Sequence, residues 1–186
     1  MSNAKQPTHQ LPDDIAPVEL ARLSVEQFIE RGVIIEPPRR PAGILALRAG
    51  AFVTLRTSDG QLRGCIGTTE PAQPTLAEEI IHNAIRAATH DPRFAAVNRE
   101  ELSDLVYGVD VLSAAEAAEG PEDLDPARFG VIVETLDGRR RALLLPHIEG
   151  IETVEQQWRA VHQKAGITIG EDVRVERFTV TRFGKD

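Results

Sequence analysis

The sequence predicts an α+β fold, in which helices flank a mainly antiparallel sheet. Two Asp-Gly dipeptides each lie between apolar segments of strand length, which is the pattern of a tight β-hairpin. Other segments have apolar residues at helical spacing, and hairpins outnumber the segments that could form β-α-β crossovers. The length of 186 residues corresponds to a single domain of ordinary size.

The predicted helices begin and end at recognisable signals. Gly32 is placed to end the first helix, and Gly166 is placed to end the last. Thr75 and Glu78 form a capping box before an apolar stripe that stops ahead of Pro92. In order, helices are expected over residues 15–30, from Thr75 to before Pro92, briefly from Asn98, and over residues 154–165.

The predicted strands are grouped mainly into two hairpins, because Asp-Gly tolerates the positive φ values of tight turns. Further strands are expected from the alternation of apolar and polar residues, whereas the proline-rich residues 36–41 form a connector. The strands are expected over residues 51–56 and 61–68, 106–112, 129–135 and 140–145, and 173–183.

Composition excludes several classes of protein. The net charge of −8 argues against a protein that mainly grips nucleic acid or anionic membranes, and aromatic residues are too few for base stacking. No apolar run is long enough for a membrane span or a secretory signal. A single cysteine, Cys65, excludes an intrachain disulfide and a multi-thiolate zinc site and indicates the cytosol. Residues 1–12 are expected to be a disordered tail, native or left from cloning, ahead of one domain over 13–186.

The segment Leu62-Arg63-Gly64-Cys65-Ile66-Gly67 is the strongest candidate for chemistry. In a strand, Arg63 and Cys65 share a face, while Leu62 and Ile66 turn to the core. The Arg63 guanidinium would then favour a reactive Cys65 thiolate. Gly64 and Gly67 indicate a bulge, or a place where another backbone or a ligand comes close. The alternative is that Cys65 is simply a small buried apolar residue.

Further candidates lie outside this segment. Asp91 and Arg93 either line a pocket or cap the helix end and pair with each other. His147 is either a base for Cys65 or a surface histidine, and Glu116 follows a strand, where loops often carry function. Thr68 completes the ligand-binding set proposed with the two glycines. No metal site is predicted, and no motif specifies a cofactor or a small-molecule or peptide ligand.

The order of several motifs resembles the AMMECR-one family over roughly residues 15–183. The matching blocks are Gly50-Ala51-Phe52-Val53-Thr54-Leu55, Leu62-Arg63-Gly64-Cys65-Ile66-Gly67-Thr68, Asp91-Pro92-Arg93-Phe94, Val111-Leu112-Ser113 with Glu116, Leu143-Leu144-Leu145-Pro146 and Lys164-Ala165-Gly166. The resemblance implies two lobes, the larger built from both chain ends, with the cysteine strand exposed near a cleft between them. It also implies association with a Memo-like protein and a radical S-adenosylmethionine protein, as the A component of that bacterial and archaeal system.

The chain departs from the family pattern at three places. Phe129-Gly130 replaces a common His-Gly, Pro146-His147 replaces Pro-Gln, and His162-Gln163 replaces a segment with a second cysteine. Cys65 would therefore act alone or with His147. Two hypotheses remain: a cytosolic enzyme or enzyme component that uses Cys65 with Arg63, and a non-catalytic module that binds a peptide or protein. Nucleic-acid binding is the least favoured.

Overall fold

The computed structural model describes residues 10–184, which form two compact units. Residues 10–111 and 182–184 make the first unit, so it is built from both ends of the described chain, and residues 112–181 make the second. Residues 1–9 of the expected tail lie outside the described residues, whereas Leu11 packs against the core of the first unit. No helix in the described part of the chain is both long and apolar enough to cross a membrane.

The first unit packs two helices against one face of a four-stranded sheet. Gly32, in the left-handed conformation, ends the first helix, and the Thr75–Glu78 capping box starts the second. Ala51, Val53 and Leu55 are fully buried on the helix side of the central strand. In chain order the elements are α1 (Pro17–Arg31), β1 (Ala51–Thr57), β2 (Leu62–Gly67), α2 (Leu76–Thr89), β3 (Leu105–Leu112) and the terminal strand Val180–Gly184, and the sheet order is β2-β1-β3 followed by that terminal strand.

The second unit packs one helix against a second four-stranded sheet. Its core contains Val131, Val133 and Val161, all fully buried. The elements are β4 (Glu116–Ala118), β5 (Gly130–Thr135), β6 (Arg141–Leu144), α3 (Val154–Ala165) and β7 (Val173–Phe178), in the sheet order β4-β7-β5-β6, and Val180–Gly184 is hereafter β8. The α+β class with antiparallel sheets is thus confirmed.

Three local features differ from the sequence prediction. The final strand is divided at Thr179 into β7 and β8, which belong to different sheets. The Thr179 carbonyl accepts a hydrogen bond from the Ser113 N–H at 2.9 Å, and the Thr179 N–H donates one to the Ser113 hydroxyl at 3.0 Å. The main chain of Thr179 is therefore bound to Ser113 at the point where the chain passes from one sheet to the other. The three-residue β4 was not predicted, and the short helix after Asn98 is a 3-10 helix, Arg99–Asp104.

A β-bulge in the first hairpin determines which way the cysteine strand faces. Arg56 pairs with Leu62 and Leu55 with Gly64, so the register skips Arg63. Beyond the bulge, Cys65 lies opposite Thr54 instead of the buried Val53. Since a slip of one residue exchanges the two faces of a strand, the bulge turns Cys65 away from the helices.

Gly64 permits the closest contact between β2 and α2. A Cβ atom added to Gly64 would lie 2.2 Å from the carbonyl oxygen of Ala87, which belongs to helix backbone and cannot turn aside. The contact explains this glycine as a close approach of another backbone. It also places the end of α2 beside the cysteine strand.

We expect Gly64→Ala to lower the free energy of unfolding by about 1–3 kcal/mol, the usual cost of overpacking. Gly108→Ala is the matched control, because an added Cβ at Gly108 would meet no atom closer than 3.9 Å and its φ is not positive. That control should be neutral or stabilising by roughly 0.5–1 kcal/mol. Urea denaturation measures both, and an unchanged midpoint for Gly64→Ala would contradict the close approach.

Candidate functional site

Cys65 lies on β2 with its thiol on the sheet face opposite the helices. It is partly buried, and the Thr54 hydroxyl on β1 donates a hydrogen bond to the sulfur at 3.3 Å. The pairing follows directly from the strand register, which sets Thr54 opposite Cys65. The thiol therefore has a hydroxyl neighbour that the sequence analysis did not identify.

Asp91 and Arg93 hold the main chain of Cys65 at the outer edge of β2. The Cys65 N–H donates to Asp91 Oδ2 at 2.9 Å, and the Cys65 carbonyl accepts from Arg93 Nη2 at 3.5 Å. The two side chains also pair with each other, at 2.9 Å from Arg93 Nε to Asp91 Oδ1 and 2.7 Å from Nη2 to Oδ2. They thus take the place that a neighbouring strand would occupy at this edge. Thr54, Cys65, Asp91 and Arg93 are called the Cys65 site below.

The charges of this pair shift both pKa values. Hydrogen bonds from Arg93 hold the pKa of Asp91 well below its usual range, helped by the N–H groups of Cys65 and Arg93, although burial acts in the opposite direction. The pKa of Arg93 is raised, first by its hydrogen bonding to Asp91 and to a smaller extent by the charges of Asp91 and Cys65. Asp91 is almost fully buried, whereas 53% of the Arg93 side chain is exposed.

Arg63 is directed toward a different partner. Its Nε and Nη2 donate to the Glu101 carboxylate at 2.6 and 3.0 Å, and its Nη1 donates to the Ala95 carbonyl at 3.0 Å. Glu101 in turn has a lowered pKa, chiefly because of Arg63. The Arg63 and Arg93 guanidinium carbons lie 5.9 and 5.5 Å from the centre of the Phe94 ring. A role for Arg63 toward the thiol remains a prediction.

Gly67 and Thr68 are explained by packing and hydrogen bonding at the end of β2. A Cβ on Gly67 would lie 2.3 Å from the Phe52 ring, so the ring occupies the space that a side chain would need. The Thr68 hydroxyl donates to the buried carboxylate of Glu79 at 2.6 Å. Glu79 also accepts the N–H groups of Ala72 and Gln73, both at 2.8 Å, and so fixes the segment after β2 to α2.

Glu116 and His147 belong to the second unit. Glu116 begins β4 and accepts a hydrogen bond from Arg177 Nε at 2.7 Å. His147 is exposed, donates its main-chain N–H to the Pro126 carbonyl at 2.9 Å, and has a φ of 57°. It is the one residue other than glycine in the described chain with a positive φ. Its pairing with Cys65 remains a prediction.

The described residues contain no cluster of side chains that could bind a metal ion. Within residues 10–184, no group of three or more histidine, cysteine, aspartate or glutamate side chains is arranged to hold an ion. The described Cys65 site instead offers one thiol, one hydroxyl and one half-exposed guanidinium.

Sequence reasoning missed Thr54 and Glu101 as members of this neighbourhood. Both lie in segments that the sequence did reveal, because Thr54 is in the first hairpin and Glu101 is in the short helix predicted from Asn98. For Thr54 the missing information was the register across the hairpin, which depends on the bulge at Arg63. For Glu101 it was the contact with Arg63, which is 38 residues away in the chain.

Comparisons with known proteins agree with this α+β architecture of antiparallel sheets. A model of the AMMECR1 family matches residues 18–183. The chain therefore belongs to the AMMECR1 family, which confirms the resemblance noted from its motifs.

Individual relatives show the same relationship. A protein of Thermotoga maritima is 51% identical over 161 residues, covering 86% of this chain and 91% of the relative. Protein CA_C1420 of Clostridium acetobutylicum is 46% identical over 89% of this chain, but this chain spans only 35% of its length. The crystal structure of the uncharacterized protein PH0010 from Pyrococcus horikoshii has a TM-score of 0.81 and 36% identity, covering 91% of this chain and 90% of that one.

The lowered pKa of Asp91 predicts an acid-dependent contribution to stability. Because the pKa is lower in the folded chain than the unfolded value of about 3.9, Asp91 stabilises the fold above about pH 4. This contribution is lost as the pH falls toward the folded pKa. Asp91→Asn should therefore lower the free energy of unfolding at neutral pH, and its difference from the wild type should shrink in acid.

Urea denaturation at several pH values measures this difference. Asp172→Asn, at an exposed position, controls for the loss of one negative charge. A difference between wild type and Asp91→Asn that stays constant from neutral to acid pH would contradict the assignment.

Proposed function

We propose that this AMMECR1-family protein is a cytosolic enzyme, or a component of one, whose ligand contacts the Cys65 thiol. The observation that supports it most directly is the setting of the sulfur, which accepts a hydrogen bond from Thr54 while its main chain is fixed by Asp91 and Arg93. A hydroxyl donor and a nearby guanidinium are groups that stabilise a negative sulfur. A thiol that is fixed in this way suits nucleophilic attack or ligand contact.

The proposed roles differ among the residues. Cys65 would contact the ligand, Thr54 would donate to its sulfur, and Asp91 with Arg93 would hold the strand in position. Arg63 would stabilise negative charge nearby, and its bidentate bond to Glu101 and packing near Phe94 support a fixed position for that charge. His147 would serve as the base. Gly67, Thr68 and Glu116 would contribute to the ligand or partner surface, and Gly64 would contribute indirectly, through the contact with α2 that brings Asp91 to Cys65.

We further propose that the protein acts together with a Memo-like protein and a radical S-adenosylmethionine protein. The family resemblance supports these partners. A cysteine site without a complete set of catalytic groups in its own hydrogen-bond network is consistent with a component that needs partner proteins.

The second candidate function is a non-catalytic module that binds a peptide or a protein. It is favoured by one observation, since none of the hydrogen bonds among residues 10–184 joins the Cys65 sulfur to a histidine or a carboxylate. Strand addition at β2 is the least favoured form of such binding, because Asp91 and Arg93 already occupy the Cys65 main-chain groups at that edge.

The thiol-based function predicts that native Cys65 is reactive. We expect iodoacetamide to label the folded protein at neutral pH, at the one cysteine of the chain. Thr54→Val preserves the shape of the side chain but removes the hydroxyl donor, so it should slow labelling about two- to tenfold, the range of one hydrogen bond. Labelling is followed by mass spectrometry, with circular dichroism to check the fold. A thiol that reacts only after denaturation would contradict the proposal.

A reconstituted mixture with the two proposed partners tests the function itself. The wild type should associate with the partners and change the small-molecule pool of a cell extract, as seen by mass spectrometry. Cys65→Ser should keep the association and lose that change. If Cys65→Ser behaves as the wild type in turnover, the enzyme proposal is wrong, and binding without turnover by either form favours the binding module.

A further inference from the structure

Arg93 leaves one nitrogen of its guanidinium, Nη1, without a partner. Nε and Nη2 donate to Asp91 at 2.9 and 2.7 Å, and Nη2 also donates to the Cys65 carbonyl. Nη1 has no hydrogen-bond partner among residues 10–184, and the side chain is 53% exposed. A guanidinium that is fixed through two of its nitrogens and open at the third is a ready donor for an oxyanion.

Arg63, the neighbouring arginine, is less suited to binding an oxyanion. All three nitrogens of Arg63 donate to Glu101 or to the Ala95 carbonyl, and only 14% of its side chain is exposed. Of the two arginines beside Phe94, only Arg93 therefore has a nitrogen, Nη1, without a hydrogen-bond partner among residues 10–184, and its side chain is the more exposed of the two.

The guanidinium of Arg93 contacts Cys65 through the main chain. The guanidinium donates to the carbonyl of Cys65 itself, and the charge of the Cys65 sulfur is among those that raise the pKa of Arg93. Asp91 fixes this arrangement, because it binds the Cys65 N–H and the guanidinium at the same time. A ligand atom bound at Nη1 would thus be held by the same guanidinium that contacts the main chain of Cys65.

We propose that Arg93 anchors an oxyanion of the ligand next to Cys65, so that the ligand is a small molecule with a carboxylate or phosphate group. Asp91 is the positioning residue that aims Arg93. This inference rests on the proposed function, because it identifies the class of ligand for the same thiol.

Two alkylating reagents of similar size test the oxyanion site. Iodoacetate carries a carboxylate, iodoacetamide is its neutral counterpart, and both form the same carbon–sulfur bond with release of iodide. Thiol accessibility and protonation affect both reactions equally, so they drop out of the ratio of the iodoacetate rate to the iodoacetamide rate. The same ratio measured on the denatured chain is the reference. We expect the native protein to favour iodoacetate by about two- to fivefold over that reference, the range for a half-exposed ion pair.

Variants assign the preference to the proposed residues. Arg93→Gln should return the ratio to the reference value. Asp91→Asn removes the carboxylate that fixes Arg93, so the ratio should fall toward the reference value, whereas the loss of a negative charge alone would raise it. Arg86→Gln removes one positive charge from an exposed position on α2 and should leave the ratio unchanged. Acetate and inorganic phosphate, added as competitors of iodoacetate, distinguish a carboxylate ligand from a phosphate ligand.

The outcomes separate this inference from the proposed function. A native ratio equal to the reference, unchanged in Arg93→Gln, overturns the oxyanion site while the reactive thiol stands. Failure of both competitors to slow iodoacetate selectively also overturns it. If neither reagent reacts before denaturation, the thiol-based function is wrong, and the inference falls with it.

Discussion

The close approach of α2 to β2 at Gly64 is the contact on which the arrangement around Cys65 depends. The Ala87 carbonyl fills the space that any side chain at position 64 would need. Because α2 ends two residues after Ala87, the chain that leaves the helix passes directly beside β2. Asp91 is thereby within hydrogen-bond distance of the next residue of the strand, Cys65. A residue without a side chain at one position thus sets the location of a buried carboxylate at another.

The charged side chains near Cys65 form two ion pairs that differ in how much of the arginine is exposed to solvent. Arg63 and Glu101 form a bidentate pair in which every arginine nitrogen is committed. Asp91 is buried in the second pair, while Arg93 keeps one edge toward solvent. Burying the Asp91 carboxylate would cost free energy if it were unpaired, and the several hydrogen bonds that it accepts offset that cost. Of the two arginines near Cys65, Arg93 is therefore the one whose positive charge remains open to solvent.

The secondary structure was largely predictable because its determinants are local. Gly32 and Gly166 end helices in the left-handed conformation, and the Thr75–Glu78 capping box starts α2 as expected. The division between β7 and β8 was not predictable, since alternation continues through Thr179 and only its hydrogen bonds to Ser113 mark the crossing. The three-residue β4 is too short to have a period of its own.

For the candidate site, the sequence by itself determined the membership of the AMMECR1 family and the cysteine strand, and it offered the pairing of Asp91 with Arg93 as one of two alternatives. These follow from short motifs whose residues lie within a few positions of one another. Only the tertiary structure decided which arginine contacts Cys65, because the bulge shifts the register by one residue and leaves Arg63 outside the pairing. It also decided that Gly64 serves a helix contact, since that depends on an atom of α2 more than twenty residues away in the chain. Local patterns specify local conformation, whereas the faces of strands and the partners of charges are set by packing between distant segments.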